Sequence, residues 1–262
     1  MRPANLCYPP NPAYGSGACR RMVQITCGDG VVDAHLSDTF HEMRCRVRHN
    51  GEVVTAIEGE TIRIPTTACP AAITVLQDLV GTRLDLPGRA FYSGGRARRH
   101  CTHLFDLAVL AIQHGKQAEG SCRYDAIVPD ETDSPVAITV HRNDIEIHRW
   151  LIQDATILHP PALRGNTLDR GFAAWATLHF ADGALEAATV LARTWLIALG
   201  RRYLIEQAAG QPITQNAQMA GRCFAYAAEN AQAATFTSGS IAIQPTLEGR
   251  EVTYRRGRIR TA

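Results

Sequence analysis

Alternating apolar and polar positions mark the chain between residues 21 and 60. Such alternation places successive side chains on opposite faces of an extended strand. Glycine-containing turn signals around Asp29 and Asn50 separate the alternating segments, as in an antiparallel meander. In the third segment, Cys45 shares a face with Met43 and Val47, which predicts a buried structural thiol. The predicted strands are residues 21–26, 30–36, 43–48 and 53–60.

Helical spacing of apolar residues marks three later parts of the chain. Gly81 stops the first predicted helix, and Gly210 caps the third, which is rich in Ala, Leu and Arg. The predicted helices are residues 70–80, 101–114 and 184–209. Between the second and third helices, residues 135–141 and 145–152 have the pattern of a β-hairpin. The pattern predicts an α+β fold in which helices pack on a β-meander, followed by a second α+β region with the hairpin and the long helix.

Composition shifts along the chain predict two structural units. The proline- and glycine-rich residues 1–19 have the composition of an irregular lead-in. A polar, glycine-containing stretch at residues 115–123 is a candidate boundary, and no internal repeat is evident in the sequence. We therefore predict a first domain at residues 20–115. A second α+β region at residues 124–262 would then complete a pocket.

The overall composition argues against membranes and nucleic acids as binding partners. No apolar run reaches the length of a membrane span, and residues 1–5 do not lead into a secretory signal, so we expect a cytoplasmic protein without a membrane partner. A net charge of +2 and 6% aromatic residues argue against nucleic acid. A small-molecule substrate is the expected partner, and a homo-oligomer is compatible with the composition. A basic cluster at residues 254–260 fits a solvated tail.

Cysteine usage indicates thiol chemistry rather than disulfides. The chain has eight cysteines but is long and lacks a secretory signal, so reduced thiols are expected. Cys101 and His103 lie in the first turn of a predicted helix, Cys69 lies in an upstream loop, and His41 and Glu42 precede both. Thiolate and imidazole ligands suit zinc or iron. These residues together predict one metal site.

Helix geometry limits how this site can be built. Residues two apart on an α-helix are about 200° apart around the axis, so Cys101 and His103 can bind one ion only if Cys101 is the N-cap. His100 and His103 are three apart and are expected to share a face, with one a ligand and the other a supporting or substrate-binding group. The helix dipole is expected to lower the pKa of Cys101.

Several short motifs in the first 115 residues resemble a bacterial family of unknown function that carries a Cys-Thr-His-Leu signature. The matching motifs are Tyr14-Gly15 before Arg20-Arg21, Asp38-Thr39-Phe40-His41, the loop of residues 65–70, and residues 100–107. This family implies no settled activity. Its signature selects His103 as the functional histidine.

The order of elements and soft ligands also resembles the iron–sulfur cluster assembly scaffold proteins. Cys69 matches the scaffold cysteine after the third strand, and His100 and Cys101 match its later His-Cys pair. The scaffold's first Cys and its Asp fall in the region of Phe40, His41 and Glu42, where this chain has no cysteine. The resemblance with this departure implies a single zinc or iron ion rather than an iron–sulfur cluster.

The sequence therefore predicts a metal-dependent lyase or hydrolase acting on a small organic acid. Its metal ligands would be His41, Cys69 and Cys101, with His100 or His103 as the fourth. Glu42 or an unligated histidine such as His103 would serve as acid or base. Asp106 would orient His103 or complement the helix dipole. Arg96, Arg98 and Arg99 would receive an anionic substrate group or form a solvated loop. The alternative function is a non-enzymatic carrier of metal or an iron–sulfur cluster.

Overall fold

The computed structural model describes residues 8–117 and 119–242. The basic segment predicted at residues 254–260 and the first seven residues of the predicted lead-in lie outside them. Eight strands form one antiparallel sheet, in the order β4-β3-β2-β1-β5-β6-β7-β8. The strands are β1 (Ala18–Gly28), β2 (Val31–Asp38), β3 (Glu42–His49), β4 (Val54–Arg63), β5 (Gly120–Pro129), β6 (Val136–Arg142), β7 (Ile145–Gln153) and β8 (Thr156–His159).

One face of this sheet packs against the hydrophobic core. Along β3 the buried positions are Met43, Cys45 and Val47, which confirms the predicted buried thiol. The residues between them are exposed and carry ion pairs with the neighbouring strands, such as Arg46 with Asp33. Strict alternation of this kind is expected where one face of an antiparallel sheet packs on a core and the other meets water.

The sheet consists of two four-stranded meanders joined at its centre. β1 and β5, the first strands of the two meanders, pair antiparallel from Ala18 opposite Pro129 to Cys27 opposite Gly120. The predicted boundary at residues 115–123 thus runs into β5, which begins at Gly120, and the large hydrophobic cluster draws residues from both meanders. The repeated arrangement of strands is a feature of the backbone that the sequence did not reveal.

The α-helices in the described residues lie mainly after the fourth and eighth strands. They are α1 (Gly88–Phe91), α2 (Arg96–Arg99), α3 (Thr102–His114), α4 (Phe172–His179), α5 (Asp182–Ala198) and α6 (Ala228–Ala231). The 3₁₀ segments are Cys69–Leu79, Ser93–Gly95, Pro161–Leu163, Leu199–Arg202, Ile205–Ala208, Ile213–Gln215, Ala217–Met219 and Phe224–Tyr226. The first predicted helix is therefore present as a 3₁₀ segment, and the α+β class is confirmed.

Helices α3 and α5 cover the buried face of the sheet side by side. α3 packs on β1, β2 and β3, whereas α5 packs on β5, β6 and β1. The third predicted helix was too long, because regular helix ends at Ala198 and Arg201 turns to pair with Asp130. Among the described residues, the stretch Asp182–Arg202 alone has the length and hydropathy of a membrane span. Its packing against the sheet accounts for that apolar character.

Candidate functional site

The site is built around Asp38, the last residue of β2. Its Oδ1 atom accepts hydrogen bonds from the backbone N–H groups of Phe40 (2.8 Å) and His41 (2.9 Å), which shapes the turn into β3. Its Oδ2 atom accepts a hydrogen bond from Nη2 of Arg21 at 2.6 Å, since Arg21 lies directly opposite Asp38 in the β1–β2 register. The carboxylate is thus fixed by both the turn and the sheet.

Two imidazole rings meet beside this carboxylate. Nδ1 of His41 lies 3.0 Å from Oδ1 of Asp38. The ring of His103, from the first turn of α3, stacks on the ring of His41 with centroids 3.7 Å apart and planes 23° apart. Potential ligand atoms of Asp38, His41 and His103 all lie within 4.8 Å of one another. The tertiary fold therefore joins the β2–β3 turn to the start of α3 in one polar cluster.

Burial and neighbouring charge set the protonation of this cluster. Burial alone would raise the pKa of Asp38, but the positive charges of His41 and Arg21 and the hydrogen bond from His41 hold that pKa well below its usual value. Burial, together with the positive charges of His41 and Arg21, holds the pKa of His103 well below its usual value. Near neutral pH the cluster consequently contains an ionised carboxylate and a neutral His103.

Asp106, one helical turn after His103, has partners of its own. Its Oδ1 atom accepts a hydrogen bond of 2.7 Å from the hydroxyl of Tyr92, and its Oδ2 atom lies 2.8 Å from Nε of Arg193. Burial, with the charge of Asp106, raises the pKa of Tyr92 well above its usual value, so that the hydroxyl stays a donor. Asp106 therefore pairs with Arg193, whose charge also acts to lower the pKa of His103.

Cys101 and His103 face different neighbourhoods. Cys101 is the N-cap of α3, the position that helix geometry required for a shared ion. Its pKa is nevertheless raised, by burial and then by the nearby Cys69 thiol, so the predicted lowering by the helix dipole is wrong. Burial likewise raises the pKa of Cys69 to about 11. Among the described residues, neither thiol belongs to the group of converging ligand atoms, which is limited to Asp38, His41 and His103.

His100 does not share a face with His103. Its backbone is extended, and its ring is fully buried against Phe105, with centroids 4.6 Å apart. Neither ring nitrogen has a hydrogen-bond partner within residues 8–117 and 119–242, and Nε2 lies 3.9 Å from Oδ2 of Asp78. Burial lowers the pKa of this imidazole. The predicted shared face failed because residue 100 precedes the helix and does not follow its periodicity.

The remaining predicted residues lie around the site rather than in it. Glu42 begins β3 and binds Nε2 of His35 at 3.1 Å, with Arg63 at 3.7 Å. The three arginines predicted to bind substrate, Arg96, Arg98 and Arg99, lie on α2, and none is buried. The charges of Arg96 and Arg99 act on His100.

Sequence reasoning missed the residues that complete the cluster. Asp38 precedes His41 by three positions in a predicted turn, and that spacing was a readable signal for a carboxylate–imidazole contact. Arg21 was hidden in a strand, and its role depends on the β1–β2 register. Arg193 lies on α5, far along the chain from its partner Asp106, and no local sequence pattern predicts that pair.

Comparison with known proteins finds a similarity to one family over part of the chain, and no activity. Residues 23–117 match a family described as "Protein of unknown function (DUF2889)". The matched segment covers less than half of the chain and contains Asp38, His41, Asp106 and His103, but neither Arg21 nor Arg193. Searches of curated proteins and of solved structures found no match. Over residues 23–117, then, the chain is similar to a family of unknown function.

Proposed function

We propose that this protein is an enzyme that moves protons with Asp38, His41 and His103, acting as a lyase or hydrolase on a small organic acid in the cytoplasm. The observation that carries the proposal is the buried Asp38 carboxylate bonded to Nδ1 of His41, with a second imidazole stacked on the same ring. A carboxylate at one ring nitrogen fixes the tautomer and leaves the other nitrogen for proton transfer.

His103 suits the role of a second proton carrier or a neutral hydrogen-bond donor. Its depressed pKa keeps the ring uncharged near neutral pH, so that one N–H can donate while the other nitrogen accepts. Two stacked imidazoles hold a single added proton between them more readily than they hold two, because two positively charged rings at this separation repel each other. The pair therefore offers one acid and one base within a single small volume.

A metal-dependent reaction is the second candidate, favoured by the convergence of three ligand atoms within 4.8 Å. Two imidazoles and a carboxylate form a donor set suited to iron or zinc. Asp38 fits this role less well, because its oxygens already accept hydrogen bonds from Arg21, from His41 and from the turn. An ion would have to compete with those bonds. In this candidate, the three residues would hold the ion, which would polarise a substrate oxygen or activate water.

Turnover of a panel of small carboxylic acids, followed by NMR, tests the proposal. The panel includes hydroxy acids, which a lyase could dehydrate, and acyl derivatives, which a hydrolase could cleave. His41→Gln and His103→Gln should each lower kcat by roughly 10²- to 10⁴-fold, the usual contribution of acid–base groups. His35→Gln is the matched control, since that imidazole is partly exposed and binds Glu42. Full activity in His41→Gln would refute the proposal.

Metal analysis separates the two candidates. Protein purified without chelator or affinity-tag metal is assayed for zinc and iron, then assayed for turnover after dialysis against a chelator. The acid–base reaction persists after dialysis. Metal-dependent chemistry predicts about one ion per chain, its loss in His103→Gln, and no turnover after dialysis until the ion is restored.

A further inference from the structure

Arg193 is a positively charged residue whose partner, Asp106, lies one helical turn from His103. It lies on α5, and Nε lies 2.8 Å from Oδ2 of Asp106. Asp106 is three residues after His103 on α3, and side chains at this spacing on a helix are neighbours. The guanidinium is therefore paired with a residue of the same helix as His103, and its charge acts on that imidazole.

Arg193 is more exposed to solvent than Arg21, the arginine that binds Asp38. The side chain of Arg21 is 4% exposed and donates from Nε and Nη2 to Asp38. The side chain of Arg193 is 33% exposed, and its buried Nε atom, although 2.8 Å from Oδ2 of Asp106, has no partner with hydrogen-bond geometry among the described residues. A guanidinium has five N–H groups in a planar fork, so an arginine whose charge is paired with one carboxylate can present its outer edge to a second.

We propose that Arg193 binds the carboxylate of the substrate, with Asp106 and Tyr92 as positioning residues that hold the guanidinium in place. This inference rests on the proposed function, and it names the group that recognises the substrate. The carboxylate would lie beside His103, which brings the adjacent carbon atoms within reach of the imidazole pair. Tyr92 adds rigidity, because its hydroxyl donates to the same carboxylate that holds Arg193.

The second half of the chain is consequently needed to complete the site. Asp38, His41 and His103 come from the first meander and its helix, whereas Arg193 comes from the helix that covers the second meander. On this inference the first half supplies proton transfer, and the second half supplies recognition of charge.

Binding of small acids, measured at the imidazoles, tests the inference. The probes are acetate, succinate and citrate, with acetamide and succinamide as uncharged matches. Histidine ¹³C–¹H resonances of His41 and His103, assigned from single variants, report binding at the site. At least one acid should shift these resonances saturably in the wild type, and the amides should not. Arg193→Gln should weaken that acid by on the order of 10- to 100-fold, the usual value of a charge-assisted hydrogen bond, and Arg193→Lys should weaken it less.

Two further variants serve as controls. Arg202→Gln makes the same change of net charge at an arginine paired with Glu131, so it should leave acid binding unchanged. The double variant Asp106→Asn/Arg193→Gln removes both charges of the ion pair and should lose acid binding without leaving a buried charge unpaired. It serves in place of Arg193→Gln if the single variant fails to fold.

Several outcomes would overturn the assignment of Arg193. The first is an unchanged acid affinity in the folded Arg193→Gln or double variant, and the second is an equal loss of acid affinity in Arg202→Gln. The others are amides that bind as tightly as the acids and the absence of any saturable resonance shift in the wild type. None of them alters the effect of His41→Gln on turnover, which tests the proposed function separately. Turnover that survives in His41→Gln while acids still require Arg193 would refute the proposed function and leave a carboxylate-binding site.

Discussion

The carboxylate of Asp38 combines a structural role with an electrostatic one. It accepts hydrogen bonds from two backbone N–H groups in the β2–β3 turn, from Arg21 and from His41. A buried carboxylate is stable only with such partners, because burial without them would drive it to the neutral form. The residue that orients His41 is therefore also one that the fold requires.

Asp38→Asn should destabilise the protein by about 3–5 kcal/mol, the usual cost of leaving one partner of a buried ion pair unpaired. The buried partner left behind is Arg21. Urea denaturation at neutral pH measures the change. Asp33→Asn is the control, since that carboxylate pairs with Arg46 at the surface and its loss should cost at most about 1 kcal/mol. Equal stability losses in the two variants would contradict the role assigned to Asp38.

The pH dependence of stability follows from the sign of the Asp38 shift. Its pKa is lower in the folded protein than in the unfolded chain, so its contribution is fully present above the unfolded value of about 3.9 and is lost as the pH falls toward the folded value. Wild-type stability should decline below about pH 4 more steeply than that of Asp38→Asn. Parallel stability curves for the two proteins in that range would show that Asp38 does not contribute.

The described thiols should react slowly in the native state. Burial raises the pKa of Cys19 and Cys45 to about 12 and that of Cys69 to about 11, so each has little thiolate near neutral pH. Cys223 is less buried than these three and should be modified first. Labelling with a disulfide reagent at pH 8, followed by peptide mapping, gives the order. Rapid native-state labelling of Cys69 or Cys101 would contradict this order and would return those thiols to consideration as reactive groups.

At the scale of elements, two carboxylate contacts join α3 to α5 in opposite directions. Asp106 near the start of α3 binds Arg193 in the later part of α5. Glu186 near the start of α5 binds Nε2 of His114, the last residue of α3, at 3.0 Å. Burial by itself would raise the pKa of Glu186, but hydrogen bonds from His114 and Tyr124 and the charge of His114 hold it below its usual value. Polar contacts at both ends therefore align the two helices on the sheet.

Glu186→Gln should weaken this alignment and lower stability by about 1–3 kcal/mol, the usual cost of a disrupted buried hydrogen bond to a charged group. Glu146→Gln is the matched control, because Glu146 pairs with Arg149 at the surface and should contribute less than about 1 kcal/mol. Urea denaturation measures both variants. A smaller loss in Glu186→Gln than in Glu146→Gln would show that His114 and Tyr124 do not depend on that carboxylate.

For the whole molecule, the central pairing of β1 with β5 decides how the chain is divided. The family match ends at residue 117, just before β5 begins. The sequence pattern predicted the first meander and its helices as a separate domain. In the structure, β1 hydrogen-bonds to β5 along most of its length, and α5 covers part of β1. The matched segment alone would expose the edge of β1 and part of the core.

A fragment of residues 1–117 should therefore fail to fold as a stable monomer. An unpaired, largely apolar strand edge is a template for association with another chain. Circular dichroism and size-exclusion chromatography should detect an unfolded or self-associated fragment, with the full chain as control. A monomeric fragment with a cooperative unfolding transition would establish residues 20–115 as an independent domain, as the sequence predicted.

Local patterns were sufficient for most of the secondary structure. Alternation located β1 to β4, and helical spacing predicted α3 from Cys101, which in the structure is the residue just before its first turn. The third predicted helix was too long because its alanine- and leucine-rich pattern continues past Gly200, whereas α5 ends at Ala198 and a 3₁₀ segment follows in which Arg201 pairs with Asp130. His41 and His103 were both predicted site residues, and their rings are stacked in the structure.

The sequence by itself determined the alternating strands and the start of α3 to within one residue, because these follow from periodicity over a few residues. It singled out His41 and His103 by residue type and by the resemblance of their motifs. Only the tertiary structure decided that Asp38 and Arg21 join the histidines, that Cys69 and Cys101 lie in a different neighbourhood, and that Arg193 of α5 pairs with Asp106 of α3. Those outcomes depend on strand register and on the packing of two helices distant in sequence. Burial, which exists only in the folded chain, then reversed the pKa shift expected for Cys101.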